Sequence, residues 1–179
     1  MVHNADQFHE VEVDVIIRQA SPNDAKAILA LYREIGKESD YLTFDERGIA
    51  ISLQKEIDLI RRFEVAPTSI MLVAEVDDQL VGIANLAAFD AYKQSHVAEL
   101  GVSIIKEYWG YGIGSMLMEA MIDFAEEVNL KVITLEVVVE NKRAITLYEK
   151  FAFKIVGELS NRLKVDYRYY NSFVMERLL

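Results

Sequence analysis

Cysteine is absent from this 179-residue sequence, which also has only two prolines and one tryptophan. Without cysteine, disulfides, thiolate metal sites and cysteine nucleophiles are excluded. No apolar run approaches the roughly 20 residues that span a bilayer, and the acidic first twenty residues lack the basic start and apolar stretch of a signal peptide. We therefore expect a cytoplasmic protein with no metal and no membrane partner.

Basic residues are also scarce, because 19 lysines and arginines stand against 29 aspartates and glutamates, a formal net charge of −10. The resulting field repels nucleic-acid phosphates and argues against a nucleic-acid partner. It favours a cationic small molecule or a basic peptide, although excess acid is also a common solubility device. With 52% hydrophobic residues, the length predicts a single domain over residues 1–179, in which residues 1–10 form a flexible start.

Hydrophobic periodicity predicts the order of the secondary structure elements. Strands are predicted near residues 11–18, 70–76, 80–86, 97–105, 132–139, 153–158 and 172–178, and helices near 21–36, 45–62, 112–128 and 141–151. Gly36 is predicted to end the first helix, and Asp45 to cap the second. A hairpin followed by a strand-helix-strand unit predicts an α/β (α+β) fold with a mixed sheet and helices on both faces.

Three of the eight glycines lie at positions 110, 112 and 114, between a buried-type strand and the most periodic helix. Such a turn directs several backbone amides and the positive end of the helix dipole at one point, which suits a phosphate or pyrophosphate. A tight turn without a ligand is the simpler alternative. A Walker loop is excluded because Gly-Lys-Ser/Thr is absent. A dinucleotide-binding enzyme stays open, since Glu136 and Glu140 could reach a ribose, but the spacing is G-x-G-x-G and the early hairpin disfavours it.

Two stretches of the chain form a pair of motifs. The first comprises Ala98-Glu99-Leu100-Gly101-Val102 and Tyr108-Trp109-Gly110-Tyr111-Gly112-Ile113-Gly114-Ser115-Met116-Leu117-Met118, and the second Leu135-Glu136-Val137, Asn141-Lys142-Arg143-Ala144-Ile145 and Leu147-Tyr148-Glu149-Lys150-Phe151-Ala152-Phe153. Together they resemble the signature of the GNAT N-acetyltransferases, and two motifs in this order and at this separation are more specific than either alone. The resemblance covers at least residues 70–158. It implies a GNAT-like, mostly antiparallel central sheet and transfer of an acetyl group from acetyl-CoA to a primary amine by direct attack.

The resemblance also implies site residues. The cofactor-binding set is Val102, Ser103, Ile104, Trp109, Gly110, Tyr111, Gly112, Ile113, Gly114, Ser115, Asn141 and Arg143. Tyr148 is implied as the general acid for the departing thiolate, and a neutral phenol suits that task. Glu99 is the candidate base, with His96 in reserve. On spacing alone, Tyr148 could simply continue the core stripe of its helix, Glu99 could be a solvated sheet residue, and Asn141 is a natural helix cap.

The sequence departs from the family pattern at two positions. Trp109 stands where Arg or Gln is usual, and Ala152 stands where Gly is usual. A left-handed Ala would cost about 1 kcal/mol, so the last helix is expected to end differently here.

The acceptor pocket is expected from residues 37–44 and 161–170, including Tyr41, Phe44, Arg162 and Tyr169. Neither segment carries a pattern that names the acceptor, so small amines and peptide amino groups both remain open. A non-catalytic acyl-CoA-binding sensor is an alternative, although retention of Tyr148 disfavours it. The closing strands could offer an edge to a second subunit, so a homodimer is possible.

Overall fold

A computed structural model describes residues 14–179, and the start of the chain, including the expected flexible residues 1–10, lies outside the described residues. The strands are β1 (Ile16–Gln19), β2 (Ile70–Val76), β3 (Gln79–Ala88), β4 (Val97–Ile104), β5 (Val132–Val138), β6 (Lys154–Val165) and β7 (Arg168–Leu178). The α-helices are α1 (Ala25–Glu38), α2 (Leu53–Val65), α3 (Ile113–Glu127) and α4 (Lys142–Lys150). These strands form one sheet in the order β1-β2-β3-β4-β5-β7-β6. Only β4 and β5 pair in parallel within the described residues, so the predicted mixed, mostly antiparallel fold is confirmed.

Each face of the sheet buries a separate apolar cluster. Alternate residues of the central strands, such as Leu72, Ala84 and Leu100, belong to the cluster that contains the buried side of α3. Their neighbours along the strands, such as Val73 and Ile83, belong to the cluster of α1 and α2. This follows from the two-residue repeat of a strand, which sends successive side chains to opposite faces.

β4 and β5 separate soon after they begin to pair. Their parallel pairing joins three residue pairs, from Val97 with Val132 to Glu99 with Thr134. Beyond that point, β4 continues to pair with β3 as far as Ile104 opposite Gly82. Within residues 14–179, the edge of β4 that faces β5 therefore has no strand partner over residues 100–104. The two strands leave a cleft between them, and free backbone groups of β4 line its wall.

Two predicted helix boundaries were wrong. α1 does not end at Gly36 but continues to Glu38. A Cβ at Gly36 would lie 2.0 Å from the carbonyl oxygen of Asp45, so this glycine permits close backbone contact rather than helix termination. Asp45 is not a helix cap, because its carboxylate binds Arg47 in a turn. The cap of α2 is Ser52, whose Oγ accepts a hydrogen bond from the Lys55 amide at 3.3 Å.

The last two strands are longer than predicted. The expected strands at 153–158 and 172–178 are the outer parts of a hairpin that turns at Asp166 and Tyr167. Asp166 takes a left-handed backbone conformation with φ 52°. β6 forms the edge of the sheet and is exposed along most of its length. Leu163 and Val165 are half-buried, but the pairing with β7 is irregular between Leu159 and Leu163. The apolar alternation near 161–165 is therefore too short to predict the strand.

Candidate active site

A cleft of about 970 Å³ opens where β4 and β5 diverge. Its walls come from the end of β4, the glycine turn and first turn of α3, the face of α4, and the segment after α1. Of the predicted site residues, the structure brings together Val102, Ser103, Ile104, Trp109, Gly110, Gly112, Ile113, Gly114, Ser115, Asn141, Arg143 and Tyr148. Two motifs that are distant in the chain therefore line one cavity.

The glycine turn presents free backbone donors to this cleft. Gly110 and Gly112 have φ values of 95° and 81°, which L side chains rarely adopt. The first hydrogen bond of α3 runs from Met116 to Gly112. Within residues 14–179, the amides of residues 110–115 donate no backbone hydrogen bond. Gly114 serves packing instead, because a Cβ there would lie 3.1 Å from Leu147. The turn fits the pyrophosphate of acetyl-CoA, since it offers several amides and a helix N-terminus to one anion.

Four cationic side chains also line the cleft: Lys106, Lys142, Arg143 and Lys150. None of them forms an ion pair with a carboxylate in the described part of the chain. Lys150 instead donates to Ser115 Oγ at 3.0 Å. Three acidic residues, Glu38, Asp40 and Glu140, line the cleft as well, so the four cations exceed the three anions by one. In a protein of net charge −10, even this small local excess of positive charge favours an anionic ligand. Sequence reasoning missed Lys106 and Lys150, although both adjoin the two family motifs.

Trp109 contributes its side chain even though it is neither Arg nor Gln. Its Nε1 donates to the carbonyl oxygen of Ile104 at 2.8 Å. Its ring centroid lies 4.8 Å from Cζ of Arg143. The tryptophan thereby connects the end of β4 to the start of α4.

Tyr148 is buried, with 7% of its surface exposed, but it lines the cleft. Its ring packs against Phe153 at a centroid distance of 5.9 Å, and burial raises the pKa of its hydroxyl to about 12. No hydrogen bond to that hydroxyl is found within residues 14–179, so its proton is free for a ligand. Asn141, at the other end of α4, is a helix cap, because its Oδ1 accepts from the Ala144 amide at 3.2 Å.

Ala152 takes the left-handed conformation that follows α4, with φ 62°. The expectation that the helix would end differently was therefore wrong, and the alanine accepts the backbone strain.

A second cavity, of about 1410 Å³, adjoins the cleft. It is lined by parts of both segments predicted to form the acceptor pocket, including residues 42–44 and 163–166. Phe44 lies on its wall, whereas Tyr41 lines the first cleft. Arg162 and Tyr169 line neither cavity, and Arg162 binds Glu136 at 2.8 Å. Five residues line both cavities: Ser39, Asp40, Leu42, Val102 and Ser103.

Of the residues predicted to bind the cofactor or to act in catalysis, Tyr111 and Glu99 line neither cavity, and the reserve base His96 lines neither as well. Tyr111 is half exposed, and its ring packs 6.2 Å from that of Tyr108. Glu99 is exposed on β4. Because side chains alternate along a strand, Glu99 shares a face with Gly101 and Ser103, which line the second cavity.

No helix of residues 14–179 has the length and apolar character needed to cross a bilayer.

Comparison with known proteins decides the family. Residues 29–153 match the model of the "Acetyltransferase (GNAT) family". The chain belongs to this family. Accordingly, this GNAT protein is an N-acetyltransferase that moves an acetyl group from acetyl-CoA to an amine, and the dinucleotide-binding alternative is set aside.

The GNAT protein has relatives in sequence and in structure. It is 25% identical over 166 residues to an L-amino acid N-acetyltransferase of Escherichia coli (strain K12), covering 92% of this chain and 98% of that protein. It is 29% identical over 133 residues to a spermidine N(1)-acetyltransferase of Vibrio cholerae, covering 74% and 71%. An acetyltransferase of GNAT family from Streptococcus pneumoniae has the same fold, with a TM-score of 0.89, 26% identity and coverage of 93% and 100%.

Proposed function

We propose that this GNAT enzyme acetylates the amine of a small molecule. The cleft between β4 and β5, here called the cofactor cleft, holds acetyl-CoA, and the second cavity, here called the acceptor groove, admits the amine. The observation that carries this proposal is that Val102 and Ser103 line both cavities. An amine in the groove and a thioester in the cleft therefore approach each other at β4. The relatives named for L-amino acids and spermidine support a small amine as acceptor.

Backbone groups of β4 would hold the reacting end of acetyl-CoA. Within the described residues, the β5-facing edge of β4 has no strand partner over residues 100–104. The backbone amides on that edge are therefore free to donate. Amides from Val102 to Ile104 would bind the pantetheine arm and the thioester carbonyl. They would stabilise the negative charge that develops on the carbonyl oxygen when the amine attacks. The amides of residues 110–115 would bind the pyrophosphate.

Tyr148 would serve the leaving group. With a pKa of about 12, its phenol keeps its proton throughout the neutral range. A thiol of this kind has a pKa of about 8.5, so complete transfer from the phenol to the thiolate is uphill. The hydroxyl therefore acts as a hydrogen-bond donor to the sulfur as the carbon–sulfur bond breaks. This hydrogen bond is charge-assisted, because the departing sulfur is a thiolate.

Glu99 would accept the proton that the attacking amine must lose. Its carboxylate lies on the groove face of β4, two residues before Gly101, or roughly 7 Å along the strand. At that distance, a bridging water would carry the proton. We expect Glu99→Gln to move the acidic limb of the pH profile of kcat/KM, while the matched variant His96→Gln leaves it in place. An unmoved profile in Glu99→Gln would remove this role, and a shift only in His96→Gln would transfer it to that histidine.

The acceptor class is tested by amine-dependent release of free CoA. Purified enzyme would be assayed with L-amino acids, with spermidine and with a short peptide that has a free amino terminus. The proposal predicts turnover with at least one of the small amines. Turnover with the peptide alone, or with no amine while acetyl-CoA still binds, would contradict it.

A further inference from the structure

We infer that Trp109 is a positioning residue that holds the guanidinium of Arg143 at the cofactor cleft, where Arg143 binds a phosphate of the cofactor. This inference rests on the proposed placement of acetyl-CoA in that cleft. It concerns the position at which this chain departs from the usual Arg or Gln. An Arg or Gln at this position would contact the cofactor itself, whereas the indole acts on the cofactor through Arg143.

One hydrogen bond fixes the indole to the end of β4, and a second holds the Trp109 backbone just beyond that strand. Its Nε1 donates to the Ile104 carbonyl oxygen at 2.8 Å, and the Trp109 backbone amide donates to the Lys106 carbonyl oxygen at 3.1 Å. Trp109 as a whole remains 36% exposed, so part of the ring is accessible to other groups. An anchored ring with an open face is a suitable platform for a cation.

Arg143 is placed against this ring rather than against a carboxylate. Its Cζ lies 4.8 Å from the ring centroid, within the roughly 6 Å at which a cation–π attraction is significant. No carboxylate of residues 14–179 lies within 4.0 Å of its guanidinium. Arg143 also lies in the first turn of α4, where the helix dipole disfavours positive charge. The ring thus orients a cation that its own helix does not stabilise.

The position of the pair indicates a phosphate as its ligand. Trp109 directly precedes Gly110, the first of the free amides in the glycine turn, and both line the same cleft as Arg143. A guanidinium stacked on a ring keeps its N–H edge available for two parallel hydrogen bonds to phosphate oxygens. Lys106 Nζ, 5.9 Å from the same ring centroid, adds a second positive charge.

The test is a double-mutant cycle by isothermal titration with acetyl-CoA. We expect Arg143→Gln to raise the Kd about ten-fold, the effect of losing one charged hydrogen bond. Trp109→Ala should raise it by a similar factor, and the double variant should be little worse than either single one, because both remove the same contact. The KM for acetyl-CoA should rise in parallel, with little change in kcat. Arg61→Gln, on the exposed surface of α2, is the control and should bind as the wild type does.

Conservative variants distinguish a positioning role of Trp109 from a general disruption of the loop that contains it. Trp109→Phe keeps the ring and loses the hydrogen bond to Ile104, so its Kd should lie between those of the wild type and Trp109→Ala. Arg143→Lys should recover only part of the affinity, because an ammonium lacks the planar fork. Titration with 3′-dephospho-CoA identifies the phosphate. The effect of Arg143→Gln disappears with this ligand if Arg143 binds the 3′-phosphate and persists if it binds the pyrophosphate.

Two results would overturn the inference. One is a double variant whose Kd rises by the product of the single effects, which would mean that Trp109 acts independently of Arg143. The other is an Arg143→Gln variant with wild-type affinity. Failure of the underlying proposal would look different, because the wild-type enzyme itself would then show no binding of acetyl-CoA.

Discussion

The two faces of the sheet differ in how they are packed. Within the described residues, the cluster on the α3 side contains 22 buried hydrophobic residues, whereas the cluster under α1 and α2 contains nine. The smaller cluster lies beside the acceptor groove, and the fully buried carboxyl of Glu56 projects from α2. The larger buried cluster would hold the backbone groups of the proposed cofactor cleft in fixed positions. The face with the smaller buried cluster can accept changes in the groove at lower cost.

The two cavities also differ in their origin along the chain. Much of the cofactor cleft comes from two short stretches, residues 102–115 and 140–150. The acceptor groove is assembled from segments that lie far apart, including residues 42–50, residues 83–85 and the turn at residues 163–166. If this contrast is correct, variants on the cofactor side should change acetyl-CoA binding, and variants on the acceptor side should change only the amine.

The largest effect is expected in the glycine turn. Gly112 has a φ of 81°, which a β-branched residue strongly resists. Gly112→Val should displace the free amides and raise the Kd for acetyl-CoA about 100-fold, an amount equal to about 2.7 kcal/mol. The control is Gly157→Val, since a Cβ at this glycine would meet nothing within 4 Å. If titration gave equal Kd values for the two variants, the proposed role of the glycine turn in binding acetyl-CoA would be contradicted.

A buried charge should destabilise the acceptor side. Neither carboxylate oxygen of Glu56 has a hydrogen-bond partner within residues 14–179, and burial raises the pKa of this carboxyl above its usual value. Glu56→Met should therefore increase the free energy of unfolding by roughly 1–3 kcal/mol at pH 7.

The gain from Glu56→Met should depend on pH in a defined direction. A raised pKa in the folded state means that the carboxyl destabilises the fold above its unfolded pKa and not below it. The gain should thus be present at pH 7 and shrink as the pH falls toward 4. Urea unfolding at several pH values measures it. A destabilised Glu56→Met at pH 7 would contradict the conclusion that the buried charge of Glu56 destabilises the fold.

Phe44 offers a selective change in the acceptor groove. It lines the groove but not the cofactor cleft, and its ring meets that of Tyr32 at 5.3 Å. Phe44→Ala should raise the KM of the amine about ten-fold through lost apolar contact, while the Kd for acetyl-CoA stays within about two-fold of the wild type. An equal rise in both constants would show that the cavities are not separable.

The smallest effect is expected at the end of α4. Ala152 has a φ of 62°, so Ala152→Gly should relieve strain and stabilise the protein by up to about 1 kcal/mol. Calorimetry should show a rise in Tm of roughly 2–4 °C. Ala30→Gly, at an exposed site inside α1, should lower the Tm instead. A lower Tm for both variants would contradict the assignment of strain to Ala152.

The sequence predicted the cofactor cleft better than the acceptor groove, for a physical reason. The turn at Gly110 and Gly112 and the cap at Asn141 are local features, in which nearby residues determine the backbone conformation. The divergence of β4 from β5 depends on tertiary pairing, and no local pattern signals it. The contact of Gly36 with Asp45 is likewise non-local, so the glycine was interpreted as a helix terminator. The burial of Glu56 depends on the packing of α2, so no local pattern signals it.

The most direct test of the account is the turnover number of Tyr148→Phe with any amine that the wild type accepts. The substitution removes one hydroxyl from the lining of the cofactor cleft and leaves the buried ring in place. We predict that kcat falls about 100-fold or more, while the Kd for acetyl-CoA stays within about two-fold of the wild type. Full turnover by Tyr148→Phe would contradict the proposed role of Tyr148 in stabilising the departing thiolate.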